Sequence, residues 1–258
     1  MQPALEEVVE QIGTVIVGKD AAIRKMLVAV LAGGHILLDD VPGVGKTTLA
    51  AALGRVLGLR YRRVQFTPDV LPSDINGFSM YNRVTETFEY MPGVLTQAHL
   101  LLCDEINRTS SKTQSALLEA MEECQVTVDG VTHELMTPFT VIATQNNVGS
   151  VGTQLLPHAQ LDRFMFKLTL GYPDFESQVA LIRDRQESDP ASRVRPCLTK
   201  DDVIRMQGEV RKVEMVDSII EYVTRLVFAT RENDMVELGV SPRGGLVVSN
   251  AARAHAYM

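Results

Sequence analysis

Two short clusters in this sequence carry the chemistry. The first is Asp40-Val41-Pro42-Gly43-Val44-Gly45-Lys46-Thr47-Thr48, which follows the apolar run Ile36-Leu37-Leu38. The second is Asp104-Glu105, which ends the apolar run Leu100-Leu101-Leu102-Cys103. Glycine reaches backbone angles closed to other residues, so Gly43 and Gly45 can turn several N–H groups toward one anion, and phosphate is the natural guest. Lys46 supplies positive charge for outer phosphates and Thr47 a hydroxyl for Mg²⁺, while a helix opening there aims its positive end at the anion. The usual pattern G-x-x-x-x-G-K-[ST] has glycine where this chain has Asp40. Pro42-Gly43-Val44-Gly45-Lys46-Thr47 after a buried strand is nevertheless the part that shapes the cradle. Of the paired carboxylates, Asp104 suits a metal and Glu105 suits polarising a water, because consecutive side chains leaving a strand point in different directions. Together the clusters read as a site that hydrolyses a nucleoside triphosphate with Mg²⁺.

The elements that must position these residues can be read from periodicity. Helices are expected at 3–12 and 19–32, a strand at 36–39, a helix from Thr47 to about Leu57, and a strand at 61–66. Two short strand-like runs follow and read as a hairpin spanning about 78–91. A buried strand at 99–103, a helix at 112–123 with Leu117, Leu118 and Met121 on one face, and a second hairpin at about 125–136 with Asp129-Gly130 at its tip come next. Another buried strand at 139–143 leads to Gln145-Asn146-Asn147, a glycine-containing loop at 149–157, and a short strand near 164–168. Strands alternating with helices predict a parallel sheet flanked by helices. Beyond Pro173 the pattern is wholly helical, at 174–187, 200–212, 216–231 and 242–257. The expected division is therefore 1–172 for the α/β core and 173–258 for a helical domain. The last helix still runs at Met258 without a stop signal, so the chain reads as truncated there.

Composition sets limits on partners and place. The 258 residues are 45% hydrophobic and 22% charged, with a net charge of −7. Residues 1–189 hold 15 basic against 23 acidic side chains, and 190–258 hold 10 against 9, which argues against a broad nucleic-acid surface. Cys103, Cys124 and Cys197 are far apart and suggest neither zinc nor disulfides. No signal core or membrane-length apolar run is present. A cytoplasmic protein is expected.

The wording of the motifs is narrower than their chemistry. Lys46-Thr47, Asp104-Glu105, Asn146, Arg163 in Leu-Asp-Arg-Phe and Arg243 in Ser-Pro-Arg look like the Walker motifs, sensor 1, arginine finger and sensor 2 of an AAA+ ATPase. Asp104-Glu105-Ile106-Asn107-Arg108, the run from Lys112 to Glu123, Ala143-Thr144-Gln145-Asn146 and the run from Leu155 to Phe164 resemble the MoxR family, in the helix-2-insert group. The resemblance extends from Ile16-Val17-Gly18 to Ser241-Pro242-Arg243. It departs at Thr109-Ser110-Ser111, where the family often has Pro-Pro, and at Asn147, where proline commonly follows. Segments after the last helix are missing.

The resemblance implies a P-loop fold with a five-stranded parallel sheet and an all-α lid. It also implies ATP with Mg²⁺ on Val41 to Thr48, with Thr47 and Asp104 at the metal. Val15, Ile16, Val17 and Gly18 would line the adenine pocket, although a core role serves the three apolar ones equally. Asn146 would hold the attacking water or γ-phosphate. Arg163 would reach the γ-phosphate of a neighbouring subunit, and Arg243 would report nucleotide state to the lid in its own subunit or the next. A homo-oligomeric ring, taken as a hexamer, and a partner with a von Willebrand factor A domain are further implications. The hairpins resemble insertions that project from the ring, where Phe78, Met80, Tyr81 and Phe88 either grip a client or pack on one another.

Other readings fit parts of the sequence. Thr199-Lys200-Asp201-Asp202 matches the guanine motif [NT]KxD, but it also opens a helix, with Thr199 as N-cap. A small-molecule kinase has no need of Asp104-Glu105 together with Arg163 and Arg243. A DNA motor of the MCM type shares the hairpins but is disfavoured by the acidic charge. A nucleotide-switched scaffold with little hydrolysis is the main alternative to an ATPase that remodels or activates partner proteins.

Overall fold

A computed structural model describes residues 2–146, 156–184 and 194–258. Asn147, most of the loop at 149–157 and the end of the helix expected at 174–187 lie outside the described residues. Five parallel strands form the central sheet: β1 (Ile36–Asp39), β2 (Tyr61–Gln65), β5 (Leu100–Asp104), β8 (Thr140–Gln145) and β9 (Phe166–Leu168), in the order β2-β5-β8-β1-β9. Among these, β1, β5 and β8 are buried at every residue, which is why they read as unbroken apolar runs.

Side chains alternate between the two faces of the sheet, so each strand feeds two cores. Ile36, Leu38, Leu100, Leu102 and Ile142 join one cluster; Leu37, Leu101, Cys103, Val141 and Ala143 join the other. The first cluster is covered by α1 (Pro3–Gly13), α2 (Asp20–Leu31) and α3 (Lys46–Val56). Over the second lie a short helix α4 (Pro72–Asn76), which the sequence pattern did not suggest, and α5 (Ser111–Glu123), which buries Leu117, Leu118 and Met121 as expected.

Two antiparallel hairpins stand apart from the sheet: β3 (Gly77–Asn82) with β4 (Thr87–Pro92), and β6 (Gln125–Val128) with β7 (Val131–Glu134). In the second, Asp129 and Gly130 both have positive φ, 50° and 79°, as a tight two-residue turn requires. Tyr90 of β4 stacks on His133 of β7 at 3.7 Å and joins the hairpins. Tyr81 and Phe88 meet edge to face at 5.3 Å yet remain half or more exposed, so mutual packing and solvent exposure coexist.

After β9 and the short α6 (His158–Leu161) that precedes it, the chain is helical: α7 (Phe175–Asp184), α8 (Lys200–Arg211), α9 (Asp217–Arg231) and α10 (Pro242–Tyr257). Thr199 caps α8 in a reciprocal capping box with Asp202, which accounts for the guanine-like motif as helix chemistry. These helices are not a detached appendage. Val203, Met206, Val210 and Ala254 belong to the same cluster as α1 and α2. Gln207 donates to the Val30 carbonyl at 2.7 Å, and the Gln2 N–H to the Met258 carbonyl at 2.6 Å.

Candidate functional site

Parallel register gathers the site. Leu38 lies beside Thr144, Asp39 beside Gln145, Cys103 beside Ala143 and Gln65 beside Asp104. The carboxyl ends of four strands therefore share one edge, the usual place for a ligand in an open parallel sheet. Gly43 and Gly45 take the left-handed angles expected, φ 84° and 88°, and Gly45 immediately precedes α3. Among the described residues other than its chain neighbours, no atom lies within 4 Å of where a Cβ on Gly43 would stand, so the outer rim of the loop is open to a ligand. Val41, Val44, Thr47 and Thr48 are half-buried around it, while Pro42 is exposed.

Lys46 is buried, and its Nζ donates to the carbonyls of Asp40 at 2.9 Å and Val41 at 3.3 Å and to Asn146 Oδ1 at 2.6 Å. Burial draws its pKa below the ordinary lysine value, opposed by Asp40, Asp104, Asp39 and Glu105. Asn146 in turn donates through Nδ2 to Glu105 Oε1 at 2.9 Å. Glu105 Oε2 accepts from Gln65 at 3.0 Å and Arg108 at 2.7 Å. Glu105 itself sits at φ 56°, a left-handed angle that costs a non-glycine residue roughly 1–3 kcal/mol and tends to persist where function demands it. Its N–H is held by Thr144 Oγ1 at 2.9 Å.

Asp104 is also buried, and accepts from Thr144 Oγ1 at 2.6 Å and from Arg63 at 2.7 Å. Thr47 and Asp104 offer oxygen only, the donor chemistry that Mg²⁺ takes, usually with one or two carboxylates plus phosphate and water. The residues present therefore fit that ion, provided the Arg63 guanidinium gives up its place on Asp104. Gln65, Arg63, Arg108 and Thr144 are members of the network that motif spacing alone did not single out. The strand signal at 61–66 puts Gln65 near a strand end, and only the pairing of β2 with β5 brings it beside the acidic pair.

Arg163 and Arg243 are brought together, but with each other rather than with the loop. Each guanidinium bonds to a different oxygen of Glu122 on α5, and Arg163 also donates to the Leu118 carbonyl at 3.0 Å. Ser241 donates to Asp162 at 2.8 Å, which fastens the Ser-Pro-Arg turn to the Leu-Asp-Arg-Phe turn. Among the described residues, neither arginine bonds to residues 40–48, Asp104, Glu105 or Asn146. Of the strip expected near a base, Val15 and Ile16 are in the core and Val17 is 37% exposed. Gly18 lies against Ser177, where a Cβ would come within 3.1 Å of the hydroxyl, and Lys19 donates to the Tyr172 carbonyl at 3.1 Å. The segment 15–19 and the entry to α7 thus flank one another.

Comparison with known proteins agrees with this arrangement. The family described as "ATPase family associated with various cellular activities (AAA)" matches residues 35–166, and the AAA lid domain matches 228–258. The protein named YeaC, uncharacterized, of Bacillus subtilis (strain 168) is 50% identical over 258 residues, all of this chain and 80% of its own length. Chaperone MoxR1 of Mycobacterium tuberculosis is 40% identical over 98% of this chain and 69% of its own. The crystal structure of a candidate ATPase from Cytophaga hutchinsonii superposes with a TM-score of 0.88 at 39% identity, covering 98% of this chain and 79% of that one. With the loop, the acidic strand end, the asparagine and the lid all in these places, the chain belongs to the MoxR family of AAA+ ATPases.

Proposed function

We propose that this protein hydrolyses ATP with Mg²⁺ as part of a homo-oligomeric ring, and uses the cycle to remodel or activate partner proteins. One observation carries the reading: Lys46, Asn146 and Glu105 form a single hydrogen-bonded chain at the carboxyl edge of the sheet, while Arg163 and Arg243 are paired elsewhere. The first group is a complete cis half. Gly43, Val44 and Gly45 cradle the phosphates, Lys46 turns from backbone carbonyls to the outer phosphates, and Asn146 holds the γ-phosphate or the attacking water. Glu105, once freed from Arg108 and Gln65, orients that water. Thr47 and Asp104 would hold Mg²⁺, which when bound would supply positive charge against that developing on the phosphates. The base lies between Val17-Gly18 and the entry to α7. Arg163, with Arg243 beside it, completes the neighbour's site, in a ring closed by heterologous contacts and taken as a hexamer.

In this reading residues 1–172 are the nucleotide-binding core and 173–258 the lid. Exposed Phe78, Met80, Tyr81 and Phe88 on the first hairpin contact a protein client. The M. tuberculosis relative is named a chaperone, and the same role is proposed here, in the cytoplasm, with a von Willebrand factor A domain protein as partner and without DNA. ATP turnover of the native chain against Glu105→Gln tests the core of the proposal: E105Q should bind ATP and lose turnover, and an assembled native ring that hydrolyses no ATP would sink it. The switch reading has its own support in the three partners that hold Glu105. It would follow from nucleotide-dependent partner binding without turnover.

A further inference from the structure

The residue that breaks the phosphate-loop pattern has a definite role in the fold. Asp40 is 7% exposed, and its carboxylate collects three backbone N–H groups: Val41 on Oδ1 at 2.8 Å, and both Leu170 and Gly171 on Oδ2, the last at 2.8 Å. The same residue's carbonyl receives Lys46. Leu170 and Gly171 are the link between β9 and α7, and Gly171 turns there at φ 66°. Hydrogen bonds to an ionised acceptor are among the stronger ones, and a buried carboxylate needs its donors kept. A glycine at position 40, as the general phosphate-loop pattern has it, supplies no side chain to make this link.

We propose that Asp40 is a positioning residue that ties the phosphate loop to the lid linker, so that a phosphate-driven shift of the loop is transmitted to Leu170-Gly171 and on to α7. Movement of residues 40–41 toward a phosphate must either carry the linker along or abandon the buried Leu170 N–H and the half-buried Gly171 N–H, and the second course leaves at least the buried one unsatisfied. The loop and the linker therefore move together. The idea rests on the nucleotide-binding reading above, and its test separates the two.

Nucleotide binding is first measured with ATP and a non-hydrolysable analogue in Mg²⁺; a native chain that binds neither defeats the nucleotide reading itself. Hydrogen exchange is then followed at the amides of Val41, Leu170 and Gly171 in the native chain. The three should share one opening free energy, read from each amide's exchange rate relative to its own intrinsic rate, and shift together on adding the analogue. Independent opening free energies, or a shift at Val41 alone, overturn the tether. In Asp40→Gly, which restores the pattern glycine, nucleotide Kd should stay within about threefold. The linker response to nucleotide should vanish, and kcat should fall about tenfold with KM little changed. D40G with a native linker response, or with exchange raised throughout β1 and β8 in the absence of nucleotide, would reject the positioning role.

Discussion

His35 shows how a single buried side chain sets a pH limit on this fold. It precedes β1, and its Nδ1 accepts the Val141 N–H at 3.0 Å while Nε2 donates to the Met121 carbonyl at 3.0 Å. That pairing requires the neutral ring, and burial pushes its pKa down to about 4 from 6.5 despite the Met121 contact. A depressed histidine pKa means the unfolded chain takes up the proton first. Stability from this site is thus complete above about pH 6.5 and declines as pH falls toward 4, by up to about 1.4 kcal/mol per pH unit and about 3 kcal/mol in all. Urea unfolding between pH 7 and pH 4 should show this slope in the native chain and a shallower one in His35→Gln. The neighbouring logic at Glu105 is different: its strained angle and three partners hold it in place at the strand end, a cost borne for position and not for stability.

Element packing decides where the arginines go. Arg163 follows α6, Arg243 begins α10, and both reach Glu122 near the end of α5. Three separate elements therefore build one corner in which Glu122 holds both guanidinium groups. A finger that serves a neighbour must be supplied in trans, and its loss typically costs about 10³–10⁵ in rate, or roughly 4–7 kcal/mol. Arg163→Ala and Lys46→Ala should each abolish turnover alone. Mixed in equal amounts, they should regain ATPase under the proposed ring arrangement, in which a K46A subunit still offers Arg163 to the intact loop of an R163A neighbour. Failure of the mixture to recover, with assembly confirmed by sedimentation, would argue for action within one subunit.

At the scale of the whole molecule, α8, α10 and the first two helices share a hydrophobic cluster, so any displacement of α8 has a packing consequence at α2. Met206 is 2% exposed on α8 within that cluster. Met206→Ala should cost about 2–5 kcal/mol by transfer and cavity terms, read as a lower urea midpoint. A cost well under 1 kcal/mol would mean that α8 separates from α2 without loss. Gln207 on the next position, bonded to Val30, supplies a polar latch beside the apolar contact.

The sequence by itself determined what is local. Alternation and apolar runs marked the strands of the sheet, Thr199 and Asp202 marked a helix start, and Gly43, Gly45 and Lys46 marked the loop, because each depends on neighbours a few residues away. It also placed Asp104, Glu105 and Asn146 at strand ends and Lys46 at the helix start after the loop that leaves β1, which in a parallel sheet is enough to predict that they meet. What the tertiary structure alone decided are the partners of long side chains and of buried carboxylates. Asp40 finds Leu170 and Gly171 some 130 residues away, Glu122 finds two arginines from different turns, and Gln65 reaches Glu105 only through the pairing of β2 with β5. Those choices follow from strand order and helix docking, which no local spacing records.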